Sequence, residues 1–190
     1  MKGFVIRVDD ELSLRLHEPC YADEVYNAVI ANRDHIARWM PWLSESYSLE
    51  SSRQYAADSL RAFAERKSMT VTLLENGRVV GSGGWTDWKQ VKMFDGRLEF
   101  ASADIGYWLA VDAQGRGLMT RAVRALTTLG FETYGLHRLT IRAEEANVRS
   151  WSVAERLGYK LEGVMRDVSR FDGRPVHHRL YALLADEWRG

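Results

Sequence analysis

Sulfur for crosslinking is almost missing from this chain: Cys20 is its single cysteine in 190 residues. An intrachain disulfide is therefore excluded, and a reducing compartment is expected. Long apolar runs are missing too. No window approaches the roughly 18 to 20 apolar residues needed to cross a bilayer. The opening MKGFVIRVDDELSLRL places acids where a secretory leader needs an unbroken apolar stretch. These absences lead us to expect a cytoplasmic protein with no membrane partner. Charge of one sign is also lacking, with 26 Lys and Arg against 26 Asp and Glu. That balance argues against a nucleic-acid binder, which would carry a basic excess. Repeats, low-complexity tracts and Pro/Gly linkers are absent, so residues 1–190 are expected to form a single domain.

Metal and hydrolase signatures are missing as well. His177 and His178 are adjacent in a strand-like run and point to opposite faces. His17, His35 and His137 lack ligand spacing with Cys20 or with one another, so no metal is expected. No G-x-S-x-G elbow supports a serine hydrolase.

What is present is a globular composition, 46% hydrophobic and 27% charged. ELSLRLHE alternates, putting Leu12, Leu14 and Leu16 on one strand face. EPCYADEVYNAVIANRDHIARWM reads as one helix with a stripe of Val25, Val29, Ile36 and Trp39, ended by Pro41. SLESSRQYAADSLRAFAERK reads as a second helix opened by serine. SMTVTLLENGRVVGSGGW is a hairpin around Asn76-Gly77. GRLEFASADIGYWLAV is a long strand, disturbed near Ser102 and Gly106, and residues 117–134 form a helix with Leu118, Ala122, Ala125 and Leu129 on one face. HRLTIRAEE is a strand, and NVRSWSVAERLG a short helix with Asn147 as N-cap and Gly158 at its end. YKLEGVMRDVSRF and VHHRLYALLA pair around Asp172-Gly173. The sum is a mixed α/β, α+β arrangement: one sheet with helices on its faces.

Between the long strand and the 117–134 helix stands QGRG. Consecutive backbone N–H groups in a tight turn at a helix start make an anion-binding concavity. Gly115 and Gly117 would let a phosphate approach the chain, and Arg116 would add positive charge. The competing reading is a turn that only needs positive φ. A Walker A loop is excluded because Leu118 stands where lysine is required. A dinucleotide fingerprint fails at Thr120, and the chain ends in a hairpin instead of further βαβ units, which disfavours a NAD-dependent oxidoreductase.

QGRGLM resembles the Q/R-x-x-G-x-G/A signature of the GNAT N-acetyltransferases, with Gln114 first and Gly117 fourth. RWMPWL, ADIGYWL, ANVRSWSVAERLGY, KLEGVMRD and GRPVHHRLYALLADEW resemble its RimJ/RimL branch, which acetylates ribosomal-protein N-termini. The match runs along nearly the whole chain in order. It implies the GNAT acyl-CoA fold, a central, mostly antiparallel mixed sheet flanked by helices, and acetyl-CoA as co-substrate. Backbone amides from Arg116, Gly117, Leu118, Met119 and Thr120 would hold the pyrophosphate, with Gln114 and Gly115 leading in. Pantetheine would lie where the strand ending WLAV splays from LTIRAEE. An N–H among Leu109, Ala110 and Val111 would polarise the thioester carbonyl. Met119 departs from the Gly or Ala of the signature, which a side chain turned to the core would tolerate.

Amine attack needs a neutral amine, so a base is useful, and the departing thiolate benefits from a proton donor. Asp104 and Glu99 lie on the strand the family uses for its base; Asp104 is preferred, with a solvated edge carboxylate as the plain alternative. The superfamily's usual donor tyrosine is replaced by Ala154, and the RimL-like branch implies Ser150 instead. Ser150 as a first-turn helix residue and Asn147 as an N-cap are compatible with contact to coenzyme A. Trp39 and Trp42 would wall the acceptor groove with the final hairpin around Phe171 to Val176, unless they pack in the core. The expected activity is transfer to a primary amine, a protein N-terminus foremost. A polyamine or other small amine, or a non-catalytic acyl-CoA module, remains open. A homodimer is common in the branch.

Overall fold

The protein's structure is a computed structural model, and it describes residues 4–93, 98–171 and 173–190. In chain order it contains β1 (Val5–Arg7), β2 (Leu12–Leu16), α1 (Ala22–Ala31), α2 (Arg33–Ala37), α3 (Leu49–Ala64), β3 (Met69–Glu75) and β4 (Arg78–Lys92). Then follow β5 (Leu98–Leu109), α4 (Leu118–Thr128), β6 (Arg138–Glu144), α5 (Val148–Arg156), β7 (Lys160–Phe171) and β8 (Arg174–Leu184). The strands form one sheet in the order β1-β2-β3-β4-β5-β6-β8-β7. β5 and β6 run parallel, whereas β1–β2, β2–β3, β3–β4, β6–β8 and β7–β8 are antiparallel. Among the described residues no helix is long and apolar enough to cross a membrane.

Contacts divide the chain into two compact units, Met1–Thr86 with Tyr107–Ala122, and Asp87–Gly106 with Val123–Gly190. In the first, Leu12, Leu14 and Leu16 are buried on one face of β2, as their alternation requires. The β3–β4 turn uses Asn76 at φ 48° and Gly77 at φ 82°, the paired left-handed residues of a tight hairpin. Ser48 caps α3: its hydroxyl accepts from Ser51 N–H, and Ser51 Oγ accepts from Ser48 N–H. The stretch read as one helix from 18 to 40 is broken. A 3-10 turn at Pro19–Tyr21 precedes α1, and α1 ends at Asn32 before α2 begins. Asn32 side-chain atoms compete with the helix for backbone partners, Nδ2 donating to Ala28 O at 2.9 Å. Val25, Val29, Ile36 and Leu43 form a buried cluster against which Trp108 packs.

In the second unit the expected helix to residue 134 stops early. α4 ends at Thr128 and widens into a π turn over Leu129–Thr133, where Tyr134 N–H reaches Leu129 O. Of the expected face, Leu118 and Ala122 are buried while Ala125 and Leu129 are half-buried, and Val123, Leu126 and Thr127 are buried beside them. Asn147 caps α5 by accepting from Ser150 N–H at 3.2 Å, and Gly158 at φ 81° closes it. The turn expected at Asp172-Gly173 lies partly outside the described residues, Asp172 being one of those; the flanking strands pair up to Phe171↔Arg174. The β7–β8 ladder carries a wide irregularity between Met165 and Ser169, where Asp167 adopts φ 54° and its N–H donates to His177 Nδ1 at 3.0 Å.

Candidate active site

The chain leaves β5 through a 3-10 turn, Val111–Ala113, and reaches α4 through Gln114–Gly117. Gly115 and Gly117 sit at φ 77° and 73°, which side-chain-bearing residues rarely adopt. A Cβ placed on either would meet nothing within 4 Å, so the space over this turn is open. Residues 115–117 are exposed, while Leu118 and Met119 are buried. Met119 is thus turned inward, as its departure from the signature demands. The first helical bond of α4 joins Arg121 N–H to Gly117 O at 3.0 Å. The N–H groups of Leu118 and Met119 precede it and have no acceptor within the helix. Such a turn presents peptide dipoles and no competing side chain to an anion, which fits a diphosphate.

The structure narrows two expectations here. Arg116 does not add free positive charge: its guanidinium pairs with both oxygens of Glu75, Nη2 to Oε2 at 2.9 Å, and also donates to Asp112 O. Glu75 lies at the end of β3, and its 10% side-chain exposure makes the neutralising partner a near-buried one. Of the three candidate carbonyl-polarising N–H groups, two are committed. Ala110 N–H donates to Val80 O at 2.8 Å, and Val111 N–H to Asn32 Oδ1 at 2.9 Å. Successive N–H groups on an extended strand face opposite edges, so Leu109 N–H points away from β4. Gln114 also turns inward: its amide nitrogen lies 2.8 Å from His35 Nε2 and 3.4 Å from Leu109 O.

Trp39 and Trp42 do not share one environment. Trp39 is half-buried, with the Arg38 guanidinium 4.8 Å from its ring centre. Trp42 is 49% exposed and meets Tyr47 edge-on, and Tyr47 in turn stacks on Tyr26. Trp42 thus stands at the surface on half-buried Tyr47, which packs against the cluster of Val25, Val29, Ile36 and Leu43, so the core-packing reading fails for Trp42.

In the second unit, β5 and β6 are in register from Ser102↔Arg138 to Ile105↔Ile141, which sets Asp104 beside Thr140. Thr140 Oγ1 donates to one Asp104 oxygen, and Arg142 Nη2 pairs with the other. Arg142 also lies 3.4 Å from Asp87. A carboxylate with a guanidinium on one oxygen and a hydroxyl on the other is poorly placed to take a proton from an amine. In this structure Asp104 is thus held in an ion pair, and the expected role as base would require its release from Arg142. Glu99 does not join it: an odd number of residues away along β5, it faces the opposite side. Glu144, next but one to Arg142, stands opposite His178 of β8. Burial holds the His178 imidazole below its ordinary pKa, against the pull of Glu144 and with the push of Arg142. Ser150 sits half-buried in the first turn of α5, its N–H held by Asn147.

Residues the sequence reading missed are Asn32, Glu75, Thr140, Arg142 and the facing role of His178. Each acquires its partner through strand register or a helix break. No local pattern signals either. Among the described residues no cluster of His, Cys, Asp or Glu could hold a metal ion.

Known proteins resemble this chain along nearly its whole length. The chain is 32% identical over 190 residues to the putative ribosomal N-acetyltransferase YdaF of Bacillus subtilis strain 168, spanning 98% of each. It superposes on a crystal structure described as a probable acetyltransferase with TM-score 0.87 at 30% identity, covering 97% of this chain and 99% of that one. The fold also matches RimL, a ribosomal L7/L12 alpha-N-protein acetyltransferase solved with coenzyme A, at TM-score 0.87 and 22% identity, over 97% and 99% of the two chains. Residues 11–160 match the model of the acetyltransferase (GNAT) domain, and with the glycine turn, the mixed sheet and the full-length likeness, this chain belongs to the GNAT family of acetyltransferases.

Proposed function

We propose that this chain moves the acetyl group of acetyl-CoA directly to the α-amine of a protein N-terminus, a ribosomal protein foremost, as a single catalytic domain working in the cytoplasm. The observation that carries the coenzyme assignment is the turn Gly115–Met119, open above and backed by buried Leu118 and Met119. Its main-chain N–H groups hold the diphosphate, and Leu109 N–H, turned from β4, is the one of the three candidates left to meet the thioester carbonyl. The acceptor nitrogen adds to that carbonyl carbon, the carbon–sulfur bond breaks, and the amine proton is lost as the departing sulfur gains one. Asp104 holds Arg142 and Thr140 in place, the amine gives its proton to water, and Ser150 passes its hydroxyl proton to sulfur while taking one back from water.

A peptide acceptor is favoured over a polyamine by the ladder of Trp42, Tyr47 and Tyr26. Between residues 33 and 50 the chain holds three acids, Asp34, Glu45 and Glu50, against Arg33 and Arg38, so this stretch is aromatic without being strongly anionic. A thiol-release assay with acetyl-CoA, a panel of N-terminal peptides and a panel of polyamines tests the reading. Turnover on peptides with a free α-amine, lost on N-blocked peptides carrying lysine, supports it. Preference for polyamines shifts the acceptor class, and coenzyme binding with no turnover on any amine supports a non-catalytic module. Ser150→Ala should lower kcat while leaving acetyl-CoA affinity close to that of the parent.

A further inference from the structure

Between β5 and the glycine turn, the run Trp108–Gln114 is fastened to α1 and α2 at three places. Trp108 packs on the cluster of Val25, Val29, Ile36 and Leu43. Val111 N–H donates to Asn32 Oδ1 at 2.9 Å, at the point where α1 stops. Gln114 Nε2 lies 2.8 Å from His35 Nε2, and since an amide nitrogen only donates, that imidazole nitrogen must accept. Asn32 is itself anchored, its Nδ2 donating to Ala28 O. The break between the two helices therefore has a use. An unbroken helix would not aim the Asn32 carbonyl oxygen at Val111.

We infer that Asn32 and His35 are positioning residues for the coenzyme loop: they fix residues 111–114, and with them the angle at which the glycine turn meets the diphosphate. The inference rests on the proposed coenzyme site. Val111 is 56% exposed, so without Asn32 its N–H would turn to water and the 3-10 turn would lose its outer tether. The same helix pair continues into Trp39 and Trp42. The acceptor-side aromatic surface and the loop ahead of the coenzyme thus share one joint, and the two substrates are expected to feel each other through it.

The test compares Asn32→Ala, Asn32→Asp and Gln114→Ala in the full chain. Losing one tether, at about one hydrogen bond or roughly 1.4 kcal/mol, should raise the acetyl-CoA KM about tenfold with little change in kcat. Asn32→Asp keeps an acceptor for Val111 N–H and should recover most of the loss. Amide exchange gives a readout apart from activity: Val111 N–H should be protected in the parent and in Asn32→Asp, and exchange freely in Asn32→Ala. An unchanged acetyl-CoA KM in both alanine variants, or Asn32→Asp behaving like Asn32→Ala, overturns the inference. Gly117→Val separates this from failure of the underlying site. If Gly117→Val loses coenzyme binding while the alanine variants keep it, only the tether is wrong; if Gly117→Val binds coenzyme A as the parent does, the site itself is misplaced.

Discussion

The glycine turn ahead of α4 and the polar row around Asp104 are built on opposite plans. The turn exposes main chain: Gly115 and Gly117 stand over open space, Leu118 and Met119 behind them are buried, and the cation within it, Arg116, is paired with Glu75. The row is made of side chains that satisfy each other, with Asp104 held by Thr140 and Arg142, and Arg142 shared with Asp87. A backbone site keeps its donors available because the helix start cannot satisfy them. A side-chain row assembled by strand register consumes its own capacity. On the proposed coenzyme site, recognition would fall to peptide groups, with the charged residues shaping the frame around them.

The largest test of that contrast is Gly117→Val. Its φ of 73° disfavours any branched residue, and the side chain would fill the open space. Coenzyme A binding, measured by calorimetry, should weaken about 100-fold, or roughly 2.7 kcal/mol. Asp104→Asn should leave the same dissociation constant within about twofold, as a site outside the diphosphate contacts would. Equal losses in the two variants would erase the distinction between backbone recognition and side-chain frame.

A smaller effect concerns the β2–β3 pair of the first unit. His17, the residue after β2, is buried, with Nδ1 3.2 Å from Thr72 Oγ1 and Tyr55 against its ring. Burial lowers its pKa to about 4, and neighbouring Arg15 adds to the shift. The folded state thus prefers the neutral ring, while the unfolded chain takes up a proton near the ordinary value of 6.5. This contribution is full above the unfolded pKa and is lost as pH falls toward the folded one. Near pH 5 it amounts to about 2 kcal/mol less stability than at about pH 8. Urea unfolding at both pH values should show that difference in the parent and less of it in His17→Gln. His178 is shifted in the same direction, so some acid sensitivity will persist in the variant.

The contrast also explains what could be read in advance. Alternation in LSLRL, the Asn76-Gly77 turn, the Ser48 and Asn147 caps and the glycine turn all depend on neighbours within a few residues, and all were legible. Asn32 was not, since ANRDH has no Pro or Gly, and its break depends on a partner 79 residues away. Arg116 was legible as a residue and misread as a free charge because Glu75 lies 41 residues earlier. Asp104 was legible as a carboxylate but not as a paired one, for the same reason: Thr140 and Arg142 reach it through the parallel register of β5 and β6. Local chemistry announces backbone sites; pairing between distant strands decides whether a carboxylate is available.

The smallest effect sharpens the comparison from the side-chain end. Asp104 and Arg142 are 22% and 40% exposed, so solvent screens their pair and its coupling should be about 1 kcal/mol. A double-mutant cycle with Asp104→Asn and Arg142→Met, read by thermal or urea unfolding, should return that value. The kcat–pH profile of Asp104→Asn then separates frame from chemistry. If Asp104 only holds Arg142 and Thr140, the profile keeps its shape as kcat falls, because the group that titrates in turnover is elsewhere. If the acidic limb disappears and Arg142→Met restores nothing, Asp104 is taking the proton after all. The row would then be more than a frame, since a carboxylate freed from its guanidinium when the acceptor binds could take the amine's proton.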